Sequence, residues 1–167
     1  MTKIVFICTA NQFRSPIAAA YFSTKLQNEH IPGDWDVISA GTWTKNGLPA
    51  HPSAIKLGEK FQLDISSHKT REVNSEILIG ADLVLVMEQG HKEALCFEFP
   101  LCCEKIFLLS QVTDKNAVEI TDPANNEFHD AQQIVQVIID TIDNVFLAII
   151  ALTKSRAEVN HDAQQSS

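Results

Sequence analysis

Four short apolar runs separated by stretches of helical character constrain this chain more than any other feature. They occupy residues 3–7, 35–40, 83–87 and 106–109. Those at 3–7 and 83–87 are short and rich in β-branched or large apolar side chains, so they read as buried strands, and those at 35–40 and 106–109 read as strands as well. Helices are expected over about 16–27, 52–61, a short stretch after Asn74, 89–97, and from Asn126 or Glu127 to Thr153. Strands alternating with helices build βαβ units, hence a parallel sheet with helices on both faces. Ligands of such folds sit at the carboxyl ends of the strands.

Local chemistry supports these boundaries. Pro16 and Pro52 suit a first helical turn, where the missing N–H costs nothing. Ile17, Ala18, Tyr21, Phe22 and Leu26 mark the inner face of the first helix. Ile31-Pro32-Gly33-Asp34 is a turn, and residues 43–50 form a Gly- and Pro-bearing loop. Asn74 is an N-cap, with Val73 and Leu78 placed as a hydrophobic staple. Phe128, Val135, Ile138, Ile142, Val145, Ile149 and Leu152 give the last helix one apolar stripe. One domain over 1–153 is expected, with a polar, disordered tail over 154–167.

The chemistry concentrates where the first strand meets the first helix, at Cys8-Thr9-Ala10-Asn11-Gln12-Phe13-Arg14-Ser15. A tight strand-to-helix loop turns successive backbone N–H groups inward, and the helix N-terminus adds positive potential. Arg14 supplies a planar fork that matches two oxygens of a phosphate. The same field favours the thiolate of Cys8, a nucleophile. A cysteine closing a buried strand can equally be a small core residue. Transfer through sulfur needs a group that protonates the leaving oxygen and later deprotonates water, and one carboxyl can do both. Asp122 fits, because Pro123 stiffens its loop just before the last helix. Asp114 and Asp130 fit less well. Trp43 is either a wall facing substrate or an aromatic folded onto the core.

Composition narrows the partners. The chain has 167 residues and a net charge of −8, which argues against nucleic acid and anionic membranes. The longest apolar run, 145–152, is too short to span a bilayer. Four cysteines at irregular spacing, one a candidate nucleophile, point to a reducing compartment, the cytoplasm, rather than a disulfide framework. Cys96, Cys102 and Cys103 read as core or surface thiols.

Taken together, Cys8-x-x-Asn11-x-x-Arg14-Ser15-Pro16, Ser39-Ala40-Gly41, Ser67-His68, Leu85-Val86-Met87 and Asp122-Pro123 resemble the low-molecular-weight protein tyrosine phosphatases. The resemblance spans about residues 4–152. It implies a flavodoxin-like, doubly wound sheet in the order 2-1-3-4, a cysteinyl-phosphate intermediate, and neither metal nor cofactor. It makes Cys8 the nucleophile, Arg14 the phosphate clamp and Asp122 the acid and base. Thr9 through Ser15 become the phosphate cradle, and Ser15 also steadies the thiolate. Asn11, Ser39 and His68 support the loop; Gln12 and Trp43 border the substrate. The implied partner is a phosphorylated protein, a bacterial-type tyrosine kinase among the candidates. Phosphotyrosine leads phosphoarginine and small phosphate esters as substrate. Thioredoxin-coupled arsenate reductases share the loop and fold, but their first relay cysteine lies at the end of the third strand, where this chain has Met87-Glu88. A protein that only binds phosphorylated partners would not need nucleophile, clamp and acid together.

Three departures from the family pattern stand out: Gln12 at the mouth, Ala124 after Asp122-Pro123, and Phe13 where many members carry a second cysteine. With no sulfur at position 13, oxidised Cys8 has no neighbour to trap it. Peroxide treatment is expected to stop at sulfenic acid or a sulfenamide at Cys8, or to continue to sulfinic acid, slowed by bound phosphate. Peptide mass analysis showing a Cys8 disulfide in good yield, with activity recovered on reduction, would refute this.

Overall fold

The computed structural model describes residues 1–113, 118–122 and 128–165, without the side chains of 128, 129 and 158–165. Asp114, Pro123, Ala124 and the expected helix start at Asn126 or Glu127 lie outside the described residues. Strands β1 (Thr2–Cys8), β2 (Trp35–Gly41), β3 (Leu83–Val86) and β4 (Ile106–Leu108) form one parallel sheet in the order β2-β1-β3-β4. Helices α1 (Arg14–Asn28), α2 (Pro52–Lys60), α3 (Ser75–Gly80), α4 (Gln89–Glu98) and α5 (Phe128–Gln165) connect and cover it. The doubly wound fold and its strand order are those expected from the sequence.

Alternation along β1 builds both faces. Ile4, Phe6 and Cys8 enter a core with α1, α2 and α5, whereas Val5 and Ile7 enter a second core with α3 and α4. The stripe on α5 lands as expected: Val135, Ile138, Ile142, Val145 and Ile149 are all buried. Each such side chain contributes roughly 1.5–3 kcal/mol. Over Asp130–Ala157 this helix is apolar and long enough to cross a membrane by length and composition, and its apolar side is the core stripe. On α1, Ile17, Ala18, Phe22 and Leu26 are buried. Tyr21 is only half-buried, and its hydroxyl donates to Asp143 on α5 at 2.8 Å.

Two expectations need correction. The last helix does not stop near Thr153 but runs to Gln165, so residues 154–165 are helical. No Gly or Pro interrupts that stretch, and Arg156 ties it down. Its guanidinium donates to the Glu104 carbonyl at 2.7 Å and lies 5.3 Å from the Phe107 ring centroid. The cysteines differ too: Cys96 and Cys103 form a disulfide. Pro100 ends α4 and opens a 3-10 turn over Pro100–Lys105, which folds Cys103 back until its Cα is 4.7 Å from that of Cys96. Cys8 and Cys102 stay free and buried, in the cores on opposite faces of the sheet.

The carboxyl ends of β1, β2 and β3 line up along one edge. Cys8 pairs with Gly41, and Ile7 with Val86. The chain leaving β2 continues to pair with the loop after β1, with Thr42 N–H donating to Cys8 O at 2.9 Å and Trp43 N–H to Thr9 O at 3.0 Å. Gly41 is required for this closeness. A Cβ there would stand 2.5 Å from Thr9 O and 3.0 Å from the Asn11 Cβ. Gly41→Ala is therefore expected to push the loop out of shape, lowering the thermal midpoint by roughly 3–10 °C and weakening anion binding. Wild-type melting and phosphate affinity in this variant would show that the loop tolerates the intrusion.

Candidate active site

The loop from Thr9 to Phe13 is held by one residue. Asn11 sits in the left-handed region at φ 55°, which asparagine tolerates better than most side chains. It is completely buried, and every polar group on its side chain is used. Nδ2 donates to Ser39 Oγ at 2.8 Å and to Ser15 Oγ at 2.9 Å, and Oδ1 accepts from the Arg71 N–H at 2.8 Å. Its carbonyl accepts from His68 Nε2 at 2.7 Å. Since a carbonyl only accepts, the neutral His68 ring carries its proton on Nε2. Asn11, Ser15, Ser39 and His68 are thus brought together around the loop.

Cys8 Sγ lies 3.0 Å from Ser15 Oγ. Ser15 already accepts from Asn11, so its own proton is available to the sulfur or to the Ala40 carbonyl, 3.3 Å away. Phe13 turns its side chain into the core and leaves only its backbone in the loop. Gln12 does not reach freely over the mouth, because its Nε2 donates to the Pro49 carbonyl at 3.0 Å. Trp43 is 82% exposed, so the ring stands clear of the core. Thr9 and Ala10 are partly open to solvent.

Arg14 is almost fully buried and has four acceptors. Nη1 donates to the Glu88 carboxylate and to the Ile120 carbonyl, the latter at 2.9 Å. Nη2 stands 3.2 Å from Asp122 Oδ2 and 3.4 Å from Thr9 Oγ1. Asp122 is therefore at the site, with its side chain 44% exposed. The segment carrying it is docked by Ile120, whose N–H donates to Met87 O at 2.9 Å.

Sequence reasoning did not single out Glu88 and His91. They follow β3 at the ligand edge of the sheet, and Met87-Glu88-x-x-His91 at that position was the available signal. His91 Nε2 is 2.9 Å from Thr9 Oγ1, and its Nδ1 accepts from the Glu88 N–H at 3.2 Å. Burial, then the Arg14 charge, hold His91 below its usual pKa against the opposing pull of Glu88, Asp122 and Glu119. Burial likewise lowers His68, against its bond to Asn11. Among the described residues no cluster of three side chains is placed to hold a metal ion.

A buried thiol beside a serine hydroxyl, a curled backbone and a guanidinium with a carboxylate at its outer edge can bind a tetrahedral oxyanion and transfer its central atom to sulfur. A protein of Ralstonia nicotianae named "Probable low molecular weight protein-tyrosine-phosphatase EpsP" is 31% identical over 140 residues, which is 82% of this chain and 90% of that protein. A protein-arginine-phosphatase of Geobacillus stearothermophilus is 33% identical over 121 residues, covering 72% and 78%. The crystal structure of a low molecular weight protein tyrosine phosphatase from T. tengcongensis superposes with a TM-score of 0.80 at 29% identity, covering 87% of this chain and 98% of that one.

Both histidines bear on stability. The unfolded chain takes up their protons near pH 6.5, whereas the folded chain resists until lower pH. Protons thus favour the unfolded state, so stability is full above about pH 6.5 and falls as the pH drops through that value towards the lowered folded pKa. The thermal midpoint is expected to fall between pH 7.5 and 5.5, and His68→Asn to flatten part of that slope. An unchanged slope in the variant would exclude His68 as a contributor.

The family model described as low molecular weight phosphotyrosine protein phosphatase matches residues 3–164, and with these relatives it shows that the chain belongs to that family.

Proposed function

We propose that the protein hydrolyses phosphate monoesters, foremost protein phosphotyrosine, through a phosphorylated Cys8. The observation that carries this reading is the convergence of Cys8, Ser15, Arg14 and Asp122 on one cradle. The Cys8 thiolate attacks phosphorus as the bond to the ester oxygen breaks, and the leaving oxygen takes a proton from Asp122. Water then attacks the thiophosphate, Asp122 takes its proton, and the S–P bond breaks to release phosphate and restore the thiolate. Arg14 and the loop N–H groups hold the equatorial oxygens, where charge gathers in both steps. Ser15 steadies sulfur each time it bears charge.

Several observations support phosphotyrosine over its competitors. The exposed Trp43 ring at the loop mouth offers a flat surface to an aromatic ester. Gln12, tethered to Pro49, leaves that side of the mouth open. A disordered segment of a phosphorylated protein, such as the tail of a bacterial-type tyrosine kinase, suits an open mouth of this kind. A cytoplasmic setting would keep the nucleophile reduced, and the same setting would act on the Cys96–Cys103 bond. Arsenate reduction needs a relay from the nucleophile, and the cysteines do not supply one. Cys96 and Cys103 pair with each other, and Cys96 and Cys102 pack in the core across the sheet from Cys8.

Initial rates on phosphotyrosine, phosphoserine and phosphoarginine peptides, beside arsenate with reduced thioredoxin, test the reading. Phosphotyrosine is expected to be fastest, and thioredoxin consumption that depends on arsenate would overturn it. Cys8→Ser should abolish turnover but keep vanadate binding, and residual turnover above about a thousandth of wild type would count against Cys8. Asp122→Asn should cut turnover by about 10²–10⁴, more for alkyl esters than for esters with good leaving groups. Equal losses on both would remove Asp122 as proton donor.

A further inference from the structure

We propose that His91 is a positioning residue that makes the hydroxyl of Thr9, as well as its backbone, a donor to the bound oxyanion. The proposal rests on the reading of this loop as a phosphate cradle, and it concerns two side chains that the mechanism above does not use.

The protons can be assigned one by one. Nδ1 of His91 accepts the Glu88 N–H at 3.2 Å, so in the neutral ring it carries no hydrogen. The ring proton is then on Nε2, which donates to Thr9 Oγ1 at 2.9 Å. Burial keeps the ring neutral at physiological pH, with Arg14 adding to that effect and Glu88, Asp122 and Glu119 opposing it. Thr9 Oγ1 also accepts from Arg14 Nη2 at 3.4 Å. Two donors on one hydroxyl oxygen engage both its lone pairs and leave its single hydrogen to be donated.

Position decides where that hydrogen goes. The Nη2 that touches Thr9 is the nitrogen facing Asp122, at the outer edge of the guanidinium. A phosphate oxygen that replaces Asp122 on Nη2 comes to rest beside Thr9 Oγ1, and the second hydrogen of Nη2 stays on that hydroxyl. The β-branch of threonine restricts its rotamers, and His91 selects among them. His91 itself is fixed by the first turn of α4, so the β3–α4 junction reaches across the sheet edge to set one donor of the loop after β1. Without His91 the hydroxyl is free to turn its proton elsewhere and to receive rather than give.

Sulfate, a dianion throughout pH 6–8, probes the cradle without turnover. Calorimetric titration with sulfate is combined with p-nitrophenyl phosphate kinetics on wild type, Thr9→Val, Thr9→Ser, His91→Phe and the Thr9→Val/His91→Phe pair. Thr9→Val is expected to weaken sulfate about 10-fold and to raise KM similarly, with Thr9→Ser restoring both to within about 2-fold. His91→Phe should lose about 3–10-fold, and the double variant should bind no worse than Thr9→Val, because His91 acts through that hydroxyl. Sulfate affinity of Thr9→Val equal to wild type, or additive losses in the pair, overturns the proposal. Nitrogen-15 spectra of the wild-type protein give an independent readout should a variant fail to fold. They are expected to show the Nε2–H tautomer at His91, and an Nδ1–H tautomer overturns the proposal. A wild type that hydrolyses no phosphate ester would instead defeat the phosphatase reading, while the sulfate measurements would still decide the role of Thr9.

Discussion

A guanidinium cannot be buried without acceptors, and the arrangement of this site follows from that constraint. Arg14 is at the first residue of α1 and almost fully removed from water. Leaving such a charge unpaired would cost several kcal/mol, more than a typical single interaction returns. The acceptors come from three separate parts of the chain: Thr9 in the loop itself, Glu88 at the β3–α4 junction, and Ile120 and Asp122 in the segment before α5. Satisfying one side chain therefore fixes the mutual position of three connections that the sheet alone leaves independent. Asp122 is brought to Arg14, at the end of the loop that Cys8 opens, as a by-product of that requirement.

Asn11 does for the loop what Arg14 does for the surrounding connections. A left-handed residue with a short amide side chain can present donors and an acceptor inward while the backbone reverses. Its partners Ser15, Ser39, Arg71 and His68 lie on α1, on β2 and in the stretch before α3. Loop shape is thus set by contacts that Asn11 makes with its surroundings. Gly41 belongs to the same construction, since the Thr9 carbonyl occupies the space where any larger residue would place its Cβ.

The sheet was legible because its central strands are buried on both faces and appear as apolar runs, as in Leu83–Val86, whereas the edge strand β2 carries Asp36 and Ser39 and is only partly buried over Trp35–Ile38. The cradle was legible because Pro16 marks the helix start and Cys8 the strand end. Less could be read where an interaction depends on chain reversal. The Cys96–Cys103 pairing needs the turn that Pro100 imposes, and spacing alone does not reveal that the two cysteines meet. Helix α5 continues beyond Thr153 because Arg156 finds Phe107 and Glu104, contacts between residues about fifty positions apart. Glu88 and His91 were hidden for a related reason: an acid and a histidine opening a helix look like ordinary surface capping until the Arg14 guanidinium and Thr9 are seen beside them.

The paired carboxylates around Arg14 also act as a resident competitor. Two negative groups already hold the two terminal nitrogens of the guanidinium, on a protein that carries eight net negative charges. An arriving anion gains only the difference between its own contacts and those of the carboxylate it displaces. Chloride or an isolated carboxylate brings no more charge than Asp122 and no more oxygens to share with the loop. A phosphoryl dianion brings two charges and three oxygens. The resident carboxylates thus set a threshold that weighs more heavily on monoanions than on a dianion able to outbid them.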